Sequence, residues 1–135
     1  MKVIDILNKS DKAAFSFELV PPLKGGDINK IYEAIEPLIA LAPPFINITF
    51  HRDEVVYREY PDGTIKKVTV TKRPGSVALA AAIMKRYNVD MVPHIVCGGA
   101  TRHKIENELI DLNFLDIENV MALRGDYSRR RRTPI

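Results

Sequence analysis

Four short apolar runs, separated by helical patterns, recur along the chain. Ala13–Val20, Phe45–Phe50, Met91–Cys97 and Ile117–Leu123 each have the length and apolar content of a buried strand. Strands that alternate with helices in this way are typical of βα units and of a parallel sheet covered on both faces. The pattern therefore predicts an α/β fold.

Three helices are predicted between these strands. Asp27 is suited to cap the first helix, in which apolar residues recur at spacings of three and four, and Pro37 is expected to kink that helix or end its first part. Pro74 is suited to the start of the second helix, and Thr101 to the cap of the third.

Residues 53–73 interrupt the alternation of strands and helices. They are rich in charged and β-branched residues around Pro61-Asp62-Gly63, which predicts an exposed hairpin of Glu54–Tyr60 against Thr64–Thr71. We interpret this segment as an insertion after the second strand. Its basic residues are expected to form a solvated edge, with contact to a neighbouring subunit or to an anionic ligand as the alternatives.

Polar side chains share one face of the predicted strands. The period of two places Ser16 and Glu18 opposite the aromatic residues of the first strand, Asn47 and Thr49 opposite the isoleucines of the second, and His94 on the third. A doubly wound sheet usually carries a glycine-rich phosphate loop after its first strand, and none is present. The pattern favours a (β/α)8 barrel, of which four units are about half, since a barrel has about 250 residues.

The composition is that of one soluble domain: 135 residues, 46% hydrophobic and 27% charged. This excludes a disordered tail, a collagen-like repeat and a disulfide miniprotein. No apolar run reaches the length of about 18 residues that a membrane span needs, and the amino terminus does not resemble a signal peptide, so a cytoplasmic protein is expected. The single cysteine, Cys97, predicts neither a disulfide nor a cysteine-rich metal site, and we expect no metal.

The net charge of +3 arises at the carboxyl terminus. Without the four arginines Arg129–Arg132, sixteen basic residues face seventeen acidic ones, so the body of the chain is close to neutral. We interpret residues 127–135 as a solvated basic tail and expect no nucleic-acid partner.

Four strand-end motifs resemble those of the methylenetetrahydrofolate reductase family. They are FSFELVPP at residues 15–22, NITF at 47–50, PHIVC at 93–97 and ALRGD at 122–126. Their order and spacing match the first four strands of the family's catalytic domain, from about residue 13 to 126 without the hairpin. The resemblance implies the N-terminal half of a TIM barrel that binds FAD non-covalently and passes a hydride from NAD(P)H to methylenetetrahydrofolate, giving methyltetrahydrofolate in one-carbon and methionine metabolism.

The resemblance also implies roles for individual residues. Glu18 matches the general acid that opens the folate ring, and Asp126 matches a carboxylate that tunes the flavin and stabilises the cationic intermediate. Flavin-contacting positions match Thr49, His94, Leu123, Arg124, Gly125 and Asp126. Because its neighbours on the strand are Phe and Val, the Glu18 carboxyl is expected to be shielded from water and protonated, whereas Asp126 beside Arg124 stays ionised.

A half barrel leaves sheet edges and apolar helix faces uncovered. We therefore expect a homo-oligomer or a complementing second half-barrel, and an inactive or nearly inactive isolated chain. Two alternatives remain open: a non-catalytic α/β binding or assembly module that uses the lysine-rich hairpin and arginine tail, and a flavodoxin-like nucleotide binder with an open five-stranded sheet. The sequence leaves the choice between NADH and NADPH open.

Overall fold

A four-stranded parallel sheet forms the centre of the protein, which we describe from a computed structural model over residues 1–125. The order of strands across the sheet is β1-β2-β5-β6, and β3 and β4 form a separate antiparallel pair. The elements are α1 (Val3–Lys9), β1 (Phe17–Leu19), α2 (Ile28–Ile39), β2 (Phe45–Ile48), β3 (Glu54–Glu59), β4 (Ile65–Val70), α3 (Ser76–Tyr87), β5 (Asp90–Val96), α4 (Arg102–Phe114) and β6 (Met121–Leu123).

The strands of the parallel sheet lie side by side in the order in which they occur along the chain. A doubly wound sheet instead reverses its strand order at the point where ligands bind. The described strands contain no such reversal, so this sheet is wound in one direction, as in a barrel. The flavodoxin-like alternative, with its five-stranded sheet, is therefore not the observed fold.

The hydrophobic core lies on one face of the sheet, against helices α2, α3 and α4. Ile46 and Ile48 of β2 are fully buried there, together with Ile35 of α2 and Ile83 of α3, and Leu112 of α4 is 3% exposed. The expectation that helices cover both faces is wrong for the described residues. The reason is the alternation within each strand, which directs the polar side chains away from this helix layer.

The outer strands of the sheet are shorter than their apolar runs. β1 has three residues rather than the eight of Ala13–Val20, and Phe15 is 78% exposed. β6 likewise covers only Met121–Leu123, although Ile117 is buried before the strand begins. Among residues 1–125 each lies at an edge of the sheet and pairs with one neighbour, so the apolar run extends beyond the hydrogen-bonded residues.

The capping residues Asp27 and Thr101 are confirmed. Asp27 accepts a hydrogen bond from the Asn29 amide at 2.9 Å, and Thr101 accepts one from the Lys104 amide at 3.2 Å. At the start of α3 the cap is Gly75, one residue after the expected proline. No helix in residues 1–125 combines the length and the apolar character required to cross a bilayer.

Pro37 does not interrupt α2 as expected, because the helix continues to Ile39. The proline lies in the last turn, where few backbone hydrogen bonds follow it. The Ala40 amide still donates to the Glu36 carbonyl at 3.3 Å. The position of a proline within a helix thus decides its effect.

Helix α1 was not predicted from the sequence. The Met1 amine donates to Asp90 at 2.5 Å and lies 3.2 Å from Glu118, and the Asn119 side chain bonds the Val3 amide and the Met1 carbonyl. The hydrogen bond to Asp90 raises the pKa of the Met1 amine above its ordinary value. Desolvation has a smaller, opposite effect on this pKa, and the bond to Glu118 raises it further. These contacts hold α1 at the amino end of the sheet, away from the strand ends discussed below.

Residues 54–70 form an antiparallel hairpin, with Glu54 opposite Val70 and Glu59 opposite Ile65. In its turn the Asp62 carboxylate accepts hydrogen bonds from the hydroxyl and amide of Thr64 at 2.6 and 2.9 Å. These bonds lower the pKa of Asp62, because they stabilise its ionised form. The turn residues therefore fix where the two strands pair.

Candidate functional site

The polar face is the side of the sheet opposite the helix layer, and Ser16, Glu18, Asn47, Thr49 and His94 lie on it. The register pairs Glu18 with Asn47, so these two residues are lateral neighbours on β1 and β2. Asn47 is in turn paired with Val92, and His94 lies two residues further along β5 on the same face. The sequence prediction that Glu18, Thr49 and His94 share one face agrees with this register.

Glu18 and His94 lie close to each other on this face. The Glu18 Oε2 atom lies 3.9 Å from the His94 Nε2 atom. His94 is 4% exposed, whereas the side chain of Glu18 is 59% exposed. The expectation that Glu18 is shielded from water is therefore wrong for the described residues, since no other element covers this part of the polar face.

Two buried atoms on the polar face have no hydrogen-bond partner among the described residues, namely Asn47 Oδ1 and His94 Nε2. The Asn47 Nδ2 atom donates only a long bond, 3.4 Å, to the Ser16 hydroxyl. Buried polar groups are nearly always paired, and leaving one unpaired costs about 1–3 kcal/mol. An unpaired acceptor and an unpaired ring nitrogen on one face are a pattern typical of a ligand site.

Thr49 joins the ends of β1 and β2. Its amide and its hydroxyl both donate to the Leu19 carbonyl, at 3.0 and 3.2 Å, and its hydroxyl lies 3.3 Å from His51 Nε2. The hydroxyl thus already satisfies a backbone acceptor. Thr49 is placed at the carboxyl end of β2 as predicted, with its side chain engaged in holding two strand ends together.

The segments that follow β5 and β6 are bonded to each other at the carboxyl end of the sheet. The carbonyl of Arg124 accepts hydrogen bonds from the Gly98 amide at 2.9 Å and from Arg52 Nη2 at 3.0 Å. The Cys97 amide donates to the Leu123 carbonyl at 2.7 Å, which extends the ladder by one bond. The side chain of Leu123 emerges on the polar face, since its strand neighbour Val96 is in register with it.

Gly125 requires the absence of a side chain. Its φ is +75°, and a Cβ atom would lie 2.5 Å from both Arg52 Nη2 and Val96 Cγ1. Sequence reasoning singled out this glycine but missed Arg52, which follows β2 and contacts the segments after both β5 and β6. An arginine in a charged segment carries no sequence signal of such a role.

The structure brings five of the predicted site residues to one region, namely Glu18, Thr49, His94, Leu123 and Gly125, with the Arg124 backbone beside them. Asp126, which was predicted both as a catalytic residue and as a flavin contact, lies outside the described residues. Within residues 1–125 no three histidine, cysteine or carboxylate side chains are arranged to hold a metal ion.

The donor set of the polar face fits the polar edge of a flavin ring, which carries both donors and acceptors. Asn47 Oδ1 can accept, His94 Nε2 can donate or accept according to its tautomer, and Leu123 offers an apolar contact. A cavity of about 460 Å³ lies instead between the first turn of α3 and α4, beside Ser76 and Phe114. On the polar face Glu18 is exposed, whereas Asn47 and His94 are buried.

Comparison with known proteins gives the same family along nearly the whole chain. The family model described as methylenetetrahydrofolate reductase matches residues 2–133. The chain is 26% identical over 129 residues to methylenetetrahydrofolate reductase (NADH) 1 of Arabidopsis thaliana, covering 93% of this chain and 19% of that protein. It is 24% identical over 111 residues to 5,10-methylenetetrahydrofolate reductase of Salmonella typhimurium, covering 82% and 32%.

The chain therefore spans about a fifth to a third of the length of these curated relatives. Its parallel sheet of four strands in chain order is consistent with part of the TIM barrel of this family. Since the family match extends over almost every residue, this chain belongs to the methylenetetrahydrofolate reductase family.

Proposed function

We propose that this chain supplies part of the FAD and folate site of a cytoplasmic reductase that converts methylenetetrahydrofolate to methyltetrahydrofolate with NAD(P)H. The observation that supports this most is the placement of Glu18 and His94, 3.9 Å apart, on a polar face with two unpaired buried atoms. Family membership supports the reaction. Because the chain spans a minor part of its relatives, the complete reaction requires residues beyond those described.

The polar face binds and orients the flavin in this proposal. FAD, when bound, supplies the hydride-transfer chemistry between nicotinamide and folate. His94 and Asn47 would hold the polar edge of the ring through their unpaired atoms, and Leu123 would contact its apolar part. Thr49 keeps the ends of β1 and β2 together, and the Arg124-Gly125 backbone at the carboxyl end of the sheet would also contact the flavin.

Glu18 acts as the general acid towards the folate. Its carboxyl donates a proton to a nitrogen of the imidazolidine ring as the C–N bond to the one-carbon unit breaks and its electron pair moves to that nitrogen. The iminium carbon that results accepts the hydride. Asp126 stabilises the positive charge on the folate, which separates the tasks of the two carboxyl groups. A side chain that is 59% exposed can reach a substrate lying over the sheet.

The flavin contacts are tested by FAD binding to the purified chain, followed by absorbance and by quenching of flavin fluorescence. We expect a yellow protein, and we expect His94→Leu to weaken binding about tenfold, the loss of one hydrogen bond to a ligand. His103→Leu is the matched control, because His103 is exposed on α4 and outside the polar face. A colourless chain that does not bind added FAD contradicts the proposal.

Two further measurements separate flavin binding from turnover. Glu18→Gln is expected to leave FAD affinity within about twofold, since the amide keeps the shape of the acid and loses only its proton. The isolated 135-residue chain is expected to show negligible NADH oxidation with a flavin-dependent electron acceptor. Robust turnover by the purified chain contradicts the inference that other parts of the barrel are required.

A further inference from the structure

The outer edge of strand β3 is unpaired among the described residues. β3 pairs with β4 on one side and with no strand on the other. Two apolar residues of β3 that share one face of the strand are exposed, Val55 at 49% and Tyr57 at 70%. An isolated two-stranded hairpin is marginally stable in water, and an open edge is a template for a further strand. The edge is therefore suited to a strand-forming partner.

The sequence of β3 is complementary to itself in the antiparallel direction. Glu54 and Arg58 lie two residues on either side of Val56, and Val55 and Tyr57 lie one residue on either side. If two copies pair about a two-fold axis through Val56, each Glu54 lies opposite an Arg58 and each Val55 opposite a Tyr57. Opposite charges and aromatic–β-branched pairs are both favourable across strands, and each occurs twice.

The charges available on β3 permit this pairing. Glu54 already contacts Lys72 at 2.7 Å within the same chain, but a carboxylate has two oxygens and can accept from both cations. No ion pair within residues 1–125 involves Arg58. Glu59, by contrast, would lie opposite Asp53 of the other copy. This places one like-charged pair at each end of the interface and weakens the association.

The other edge of the hairpin does not offer the same complementarity. β4 carries Lys66 and Lys67 at adjacent positions and no acidic residue. Antiparallel pairing of β4 with a second β4 would bring lysines opposite or diagonal to lysines, which is destabilising. The charges thus direct pairing to β3 and against β4.

We propose that β3 is a homodimer interface in which a second copy of this chain adds its own β3 antiparallel, centred on Val56, to form a four-stranded sheet β4-β3-β3-β4. This inference is independent of the flavin chemistry. The hairpin is attached to the segment after β1, because the Lys24 amide donates to the Lys72 carbonyl at 2.8 Å and the Arg73 guanidinium donates to the Pro21 carbonyl.

The test is sedimentation equilibrium of the purified chain at several concentrations. The unmodified chain is expected to form dimers, and Arg58→Glu and Glu54→Arg are each expected to weaken self-association at least tenfold, because each puts like charges opposite each other twice. An equimolar mixture of the two variants is expected to form heterodimers with near-original affinity, since one copy then carries two acids and the other two arginines. Circular dichroism confirms that each variant is folded.

Lys67→Glu is the matched control. It makes the same kind of charge change on β4, which lies outside the proposed dimer interface, and it should leave the dimer intact. A second prediction is that Glu59→Gln tightens the dimer severalfold. The proposal is overturned if the chain is monomeric, if Arg58→Glu leaves association unchanged, if Lys67→Glu weakens it equally, or if the mixed variants do not associate. Dimers that persist in all variants would assign association to another surface and also overturn it.

Discussion

Replacing Asn47 with leucine is expected to stabilise the free chain and to weaken its ligand binding. Asn47 is 9% exposed, and its Oδ1 atom has no hydrogen-bond partner among the described residues. Its Nδ2 atom donates only to Ser16, at 3.4 Å. Leucine has a similar size and shape but no polar atoms, so Asn47→Leu removes a buried unpaired group without leaving a large cavity.

The expected gain follows from two opposing terms. Removing the unpaired oxygen is worth about 1–3 kcal/mol, and losing a long hydrogen bond costs about 0.5 kcal/mol. The net increase in the free energy of unfolding is about 1 kcal/mol, which raises Tm by about 4 °C for a chain of this size. If Asn47 Oδ1 accepts a hydrogen bond from flavin, FAD affinity should fall about tenfold, since 1.4 kcal/mol corresponds to a factor of ten.

Thermal unfolding followed by circular dichroism, together with FAD titration, measures both effects on the same samples. Ser16→Ala is the control, because it removes the bond to Nδ2 and leaves the unpaired oxygen in place; its Tm should fall slightly. A lower or unchanged Tm in Asn47→Leu would show that the oxygen is not an energetic liability in the free chain. A higher Tm with unchanged FAD affinity would refute its proposed contact with flavin.

Three further changes test the loop geometry, the amino terminus and a helix cap. Gly125→Ala should lower the free energy of unfolding by about 2 kcal/mol in denaturant titration, because φ is +75° and a Cβ would meet Arg52. The Met1 amine, whose pKa Asp90 raises, should contribute stability that is complete below pH 8 and lost at higher pH; being 59% exposed it should contribute less than about 1 kcal/mol, measured against an N-acetylated chain. Thr101→Ala should cost about 1 kcal/mol by the same titration, since it removes the cap of α4.

The fold was predictable to the extent that it depends on local patterns. Buried runs and the caps Asp27 and Thr101 identify the central strands and helices, because burial and capping act over a few residues. The length of β1 was overestimated, since apolar content does not reveal where an edge strand loses its partner. Helix α1 was missed although Val3 and Ile6 have helical spacing, because its position depends on Asp90, distant in sequence.

Most residues of the site were predictable from the sequence, but their exposure and the role of Arg52 were not. Alternation along each strand, with the family motifs, identifies Glu18 and His94, and the register brings them within 3.9 Å. Alternation cannot predict exposure, because this depends on which elements lie over the face, and Glu18 proved to be largely solvent-exposed. Arg52 was missed because its contacts to the segments after β5 and β6 join parts of the chain that are more than forty residues apart.

The two faces of β2 make opposite contributions to folding. Ile46 and Ile48 are fully buried against the helices, and burial of such a side chain contributes about 1.5–3 kcal/mol. Asn47, between them, faces the other way and leaves a buried oxygen unpaired, which costs an amount of the same order. Packing alone does not account for a polar residue at that position, whereas a ligand that bonds to it does. If the proposed flavin contact forms, the stability that Asn47 forgoes in the free chain is recovered as binding free energy, and its replacement should then separate stability from FAD affinity.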